Sequence, residues 1–327
     1  MCIKEFDWGY YSGARTWSDR CCPCNKAPAY WSINWAAALM HLLNTVLTLI
    51  FWAIDDNKDD VFELSEDYAP WVPTINNTFK NSTMCPFSEN RIFKISEEWC
   101  VERKTELTSS LSLWWLVIVF HFLSFAFQSF GMFHWDCIVC QNTACARRCK
   151  RERYDIEVEE SGTNSLRMLE YSISATLMQI AIALVLGIWH RLVIIGIAVL
   201  TVVTMLFGLL AEQIKNDNIG LAWIAHFSGW LSMLGVWGIL GRQFQFTIEK
   251  STNKPPIFVY IIVIVIASLY TGFALVQLAQ LALQKKENDP AVNKNVEMAY
   301  CLNSLISKTF LGWMIFANAL TGMAKAS

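Results

Sequence analysis

The sequence predicts an all-α membrane protein, a seven-transmembrane helix bundle with a cytoplasmic N-terminus and an extracellular C-terminus. Three observations carry that expectation. Seven predominantly apolar runs occur at 31–54, 108–133, 163–188, 192–212, 219–240, 256–284 and 297–322, each long enough to cross a bilayer as a helix. Hydrophobic residues make up 54% of the 327, with 15 tryptophans, a composition that a soluble domain of this length does not carry. Basic residues gather beside the run ends in "ARRCKRER" at 146–153, the asymmetry that holds a loop in the cytoplasm. A net charge of −2 gives no case for nucleic acid.

The runs divide the chain. Residues 1–30 form a polar, cysteine-containing cytoplasmic leader without the layout of a cleavable signal peptide. Residues 31–322 form a single membrane domain, and 323–327 a short tail. Seven crossings place the leader and the 134–160 loop on one side and the long, acidic 55–107 loop on the other. The 55–107 loop carries sequons at Asn76-Asn77-Thr78 and Asn81-Ser82-Thr83 and two cysteines, Cys85 and Cys100. A lone pair of cysteines outside the cytoplasm suits one disulfide.

Charges inside the runs are the informative exceptions. In "LNSLISKTFLGWMIF" (302–316), Lys308 sits mid-span, where an ammonium costs about 2.5–3.5 kcal/mol on insertion scales. It lies about a dozen residues from either end, roughly 18 Å, too far for its stem to reach water. In the third run Glu170 follows Arg167 by three positions, which places both on one helix face. The economical solution pairs Lys308 with Glu170 across the bundle; a buried pair that only fixes helix register is the bland alternative. His41 and Asn44 in the first run, His121 in the second and Ser304 one turn before Lys308 lie at similar depth. With Arg167 they read as a polar core able to hold or move protons. Trp223, His226, Trp230 and Trp237 form one stripe of the fifth run. Tyr171 and Ser174 share a face of the third, as Phe273 and Gln277 do of the sixth. Packing explains such stripes as readily as a pocket does.

A central lysine in the seventh span facing a carboxylate in the third resembles the retinylidene proteins. More narrowly, "RMLEYSISA" (167–175) and "NSLISKTFLGW" (303–313) resemble the signatures of the heliorhodopsins, as do the inverted, N-in topology and the long first extracellular loop. The resemblance implies all-trans retinal on Lys308 as a protonated Schiff base, with Glu170 as its counterion. It puts Ser304 where proton-pumping rhodopsins carry a second aspartate, and implies that Tyr171, Ser174, Phe273, Gln277 and Trp313 line the chromophore site. His41 with Asn44 resembles the family's His–Gln pair, and His121 its second-span histidine; the serine expected a turn earlier is Val117. It suggests a homodimer, and a light sensor with no enzymatic activity that signals to an unidentified cytoplasmic partner.

Beyond Glu170 the third run offers Ser174, Thr176 and Gln179 but no further acid, so a vectorial pump lacks its carboxylate relay. A light-gated passive proton conductance, associated with viral members of the family, is the alternative. A transporter with a Lys–Glu substrate site would show helices broken by paired Gly or Pro; Pro255 and Pro256 instead open the sixth run.

"DRCCPCNK" (19–26) and "DCIVCQNTACARRCK" (136–150) hold seven of the eleven cysteines, all on the expected cytoplasmic side. Cys137, Cys140, Cys145 and Cys149 have the spacing of a tetrahedral zinc site, and Cys21, Cys22 and Cys24 form a spare set. Juxtamembrane palmitoylation fits the same cysteines.

Overall fold

The computed structural model describes residues 29–54, 62–68, 71–73, 91–94, 99–102, 104–133, 158, 161–250, 257–283 and 289–326. Seven helices dominate them: α1 (Ala29–Ile54), α2 (Leu113–Phe133), α3 (Ser165–Val185), α4 (Arg191–Ile214), α5 (Ile219–Lys250), α6 (Ile257–Leu283) and α7 (Pro290–Ala326). Among the described residues, α1 to α6 are long and apolar enough to cross a membrane. The seventh, which carries Glu297 and Lys308, packs on α1 and α6. Apolar side chains such as Leu231, Ile257 and Ile264 face outward, as expected where lipid is the solvent. The chain is a helical integral membrane protein.

Helix ends follow local chemistry. Asn164 caps α3, its Oδ1 accepting from Arg167 N at 3.0 Å, which satisfies one orphan donor of the first turn. At the other end Gly187 takes φ +83°. Its N–H donates to Leu184 O and that of Ile188 to Ala183 O, closing α3 in a Schellman motif that favours glycine. The tight reversal sends α4 back alongside α3. Asn218 then starts α5 by accepting from Leu221 N at 3.1 Å.

The core is formed by Val117 and Phe120 of α2, Ala181 and Ile182 of α3, Ile197 of α4, Ile266 of α6 and Leu311 of α7. Helix α3 is its axis, with 67% of its span buried against 17% of α4's. Any charge on α3 is therefore far from water.

The bundle is all-helical as expected, and the long loop between its first two helices carries strands. Between α1 and α2 lie β1 (Phe62–Tyr68), β2 (Trp71–Pro73), β3 (Arg91–Lys94), β4 (Trp99–Glu102) and β5 (Lys104–Leu111). Strands β1 and β5 pair antiparallel, and β2, β4 and β3 make a second antiparallel sheet in that order. The Thr- and Ser-rich "KTELTSSL" of β5 suits a half-exposed pleated ribbon, so α2 begins at Leu113 and not at 108. Ser65 N of β1 donates to Trp189 O at 2.9 Å, fastening the ribbon to the α3–α4 reversal.

Cys100 lies in β4 opposite Val72 and Lys94. Its expected partner Cys85, both sequons, most of the leader and the seven cysteines of the zinc proposal fall outside the described residues. Among the described residues no group of three metal-ligating side chains occurs.

Candidate functional site

Lys308 of α7 and Glu170 of α3 meet in mid-bundle. Lys308 Nζ donates to Glu170 Oε1 at 2.5 Å, with both side chains buried. A third group completes the contact. Ser124 Oγ of α2 accepts from Lys308 Nζ at 2.6 Å and lies 2.6 Å from the same Glu170 Oε1. The Tyr171 ring centre is 5.1 Å from Nζ, within reach of a cation–π interaction worth roughly 0.5–2 kcal/mol. Two charges withdrawn from water need such geometry, because Coulomb attraction alone does not repay their desolvation.

Beside Lys308 is a small cavity of about 20 Å³ lined by Tyr171, Ser174, Met178, Tyr270, Phe273 and Ser304 among others. Among the described residues the buried Ser174 hydroxyl meets no hydrogen-bond partner, and that of Ser304 lies beside Tyr171. A second cavity of about 60 Å³ adjoins the first, sharing Tyr171, Met205, Tyr270 and Phe273 and continuing to Gly208, His226, Trp230 and Gln277. In its wall Trp230 Nε1 donates to His226 Nε2 at 2.8 Å. The neutral ring then carries its proton on Nδ1 and donates to Gln277 Oε1 at 2.9 Å, while Gln277 Nε2 donates to the Gly208 carbonyl at 2.7 Å. His226 and Trp230, half of the expected packing stripe, thus border the cavity.

On the α1–α2 side of Lys308, His41 Nδ1 and His121 Nδ1 are 3.1 Å apart, one donating and the other accepting. A Cβ on Gly312 would lie 2.8 Å from His121 Nε2, so glycine there lets α7 approach α2. Asn44 Nδ2 donates to Thr309 Oγ1 at 3.1 Å.

Arg167 belongs elsewhere. Its terminal nitrogens pair with Glu212 Oε1 of α4 at 2.5 Å and with Glu297 Oε2 of α7, not with Glu170. Its guanidinium lies 4.2 Å from the Tyr300 ring centre. Asn164 Nδ2 donates to Glu297 Oε1 at 2.9 Å, and Lys215 Nζ donates to the Gly162 carbonyl at 2.5 Å. Burial pushes the Lys215 ammonium down to about 8 despite Glu212 beside it. This cluster closes the end of the bundle where α3 begins.

The structure gathers Lys308, Tyr171, Ser174, Phe273 and Ser304 around one cavity, sets Glu170 against the Lys308 nitrogen behind it, and brings Gln277 to the adjoining cavity. Trp313 packs on Phe51 and Phe316, is 39% exposed and is not among the residues lining either cavity. Five residues beyond Lys308 is about 140° round a helix, which turns it away. Ser124, Glu212 and Glu297 were not among the expected site residues. Ser124 had a signal, because it lies three residues after His121 and so on the same face.

The heliorhodopsin family model matches residues 74–320. The chain belongs to the heliorhodopsin family. No curated protein matches it. Among solved structures it is similar to the transmembrane domain of Salpingoeca rosetta rhodopsin phosphodiesterase, with TM-score 0.49, 10% identity, and coverage of 87% of this chain and 84% of that one.

Heliorhodopsin membership implies retinal, and the residues present fit it. A polyene aldehyde needs an amine at the end of an apolar, aromatic-walled slot. Lys308 borders an apolar cavity that shares its aromatic wall with a second, and the Ser174 and Ser304 hydroxyls line the first beside the lysine.

Proposed function

We propose that this heliorhodopsin is a light sensor in which Lys308 holds all-trans retinal and Glu170 is the counterion. The observation that carries the reading is the 2.5 Å Lys308–Glu170 contact at the mouth of an apolar cavity. Bound retinal supplies a protonated C=N linkage to the lysine nitrogen and an isomerisation driven by light. The protein's residues do the rest. Glu170 compensates the positive nitrogen, Tyr171 adds its ring face, and Met178, Tyr270 and Phe273 keep water from the linkage. The contact joins α2, α3 and α7, so a change in how Lys308 points pulls on three helices. That is a bistable arrangement a partner can read.

Ser304 stands where a second acid would serve a pump, and the remainder of α3 supplies no acid. Net pumping has no carboxylate relay. In the N-in orientation the Arg167 end of the bundle and the basic 134–160 loop face the cytoplasm, where a signalling partner would dock; we propose no enzymatic activity for the chain itself.

One observation favours the second reading, a light-gated proton conductance: the buried His41–His121 contact lies within electrostatic reach of Lys308. Whole-cell recording separates the two. A sensor gives no sustained photocurrent at zero voltage and symmetric pH, and none under a proton gradient. Current that reverses with the gradient and disappears in His41→Ala or His121→Ala establishes the conductance and overturns the purely sensory reading.

A further inference from the structure

We propose that Ser124 is an alternate acceptor for the Lys308 N–H, keeping Lys308 and Glu170 coupled in more than one orientation of that bond. The proposal rests on retinal being bound at Lys308.

Proton counting leads to it. As an ammonium, Lys308 has three N–H bonds and gives one to Glu170 Oε1 and one to Ser124 Oγ. Condensation with an aldehyde converts –NH3+ and O=CH– into –NH+=CH– and water, so the nitrogen keeps its charge but only one N–H. Two acceptors, at 2.5 and 2.6 Å, then compete for a single donor.

Ser124 has one hydroxyl proton and two places for it: Glu170 Oε1 at 2.6 Å and the Phe120 carbonyl, one turn back on α2, at 3.0 Å. Buried serines in membrane helices commonly make the second bond. This yields two arrangements. In one, the N–H goes directly to Glu170 and the hydroxyl turns to Phe120. In the other, the N–H goes to Ser124, whose hydroxyl proton goes to Glu170, so the ion pair is bridged. The carboxylate has a donor in both, and reorienting the N–H leaves no buried charge bare. Ser124 is wholly buried, so water does not substitute for it easily.

The other ionisable groups around the Lys308 nitrogen are His41 of α1, His121 of α2, Tyr171 of α3, Tyr270 of α6 and Cys301 of α7. Of the side chains near it, Ser124 is the hydroxyl within hydrogen-bond distance of both charged partners.

The test titrates the visible band of full-length wild type, Ser124→Ala and Ser124→Thr, each loaded with all-trans retinal. Ser124→Ala is expected to lose the band at a pH about one to two units lower than wild type, and Ser124→Thr, which restores the hydroxyl, to recover the wild-type midpoint. Resonance Raman gives a second readout: the hydrogen–deuterium shift of the C=N stretch should change in Ser124→Ala and revert in Ser124→Thr. An Ala variant that titrates as wild type overturns the proposal, as does a Thr variant that behaves like Ala. A wild-type protein that forms no visible band overturns the retinal reading beneath it, an outcome distinct from either.

Discussion

Two buried charge clusters sit on α3, roughly a turn apart, and they are built for opposite purposes. Arg167 engages Glu212 and Glu297 with its terminal nitrogens, is covered by Tyr300, and has Asn164 bonded to one of the carboxylates. Its fork geometry holds α3, α4 and α7 at fixed spacing. Glu170 and Lys308 make one short contact bridged by a serine. Similar elements, acid and base in a low-dielectric core, give a clamp where a guanidinium fork spans two carboxylates and a single contact where a cavity lies beside the lysine.

The sharpest way to break this contrast is to remove one partner from each cluster. In the open site, Glu170→Gln leaves a positive nitrogen without its counter-charge. After retinal is added without halide, the visible band should be lost at a pH about 1–3 units below that of wild type, as read by titration. A variant with wild-type colour and midpoint would make another group the counterion.

In the closed cluster, Arg167→Gln strands two carboxylates. Breaking a buried pair this way costs about 3–5 kcal/mol, so thermal denaturation in detergent should occur well below the wild-type temperature while the visible maximum stays in place. A large spectral shift without loss of stability would mean that the two clusters act as one.

Lys215 sharpens the contrast more gently. Its ammonium is pushed down to about 8, against roughly 10.4 for a free lysine. Between those values the unfolded chain binds more protons than the folded one, so folding stability should rise with pH across about 8–10.4. Lys215→Met should flatten that rise in thermal melts taken across the window. A variant whose melting rises with pH as wild type does would assign the dependence elsewhere.

How much of this was legible in the sequence depends on what each feature required. Lys308 and Glu170 stand out because a charge inside an apolar span is costly and calls for a partner. Ser124 does not, since a serine in a membrane helix is ordinary until a partner helix is rotated against it. Glu212 and Glu297 lie at the edges of their runs, where acids usually meet headgroups; burial turns them into ligands of Arg167. Trp313 is assigned through resemblance to a family tryptophan, and its own sequence position carries no sign of the contacts it makes with Phe51 and Phe316. The strands between α1 and α2 were hidden because "KTELTSSL" runs directly into the apolar second span, blurring where hydrocarbon begins.

We propose that retinal attaches at the Lys308 amine, paired with Glu170. Adding all-trans retinal to the purified wild-type protein, reducing the product with borohydride, digesting it and locating the adduct by mass spectrometry tests this directly. The expected result is a visible band in wild type, an adduct on the peptide containing Lys308, and neither in Lys308→Ala. A band that persists in Lys308→Ala, or an adduct on a different lysine, would contradict it.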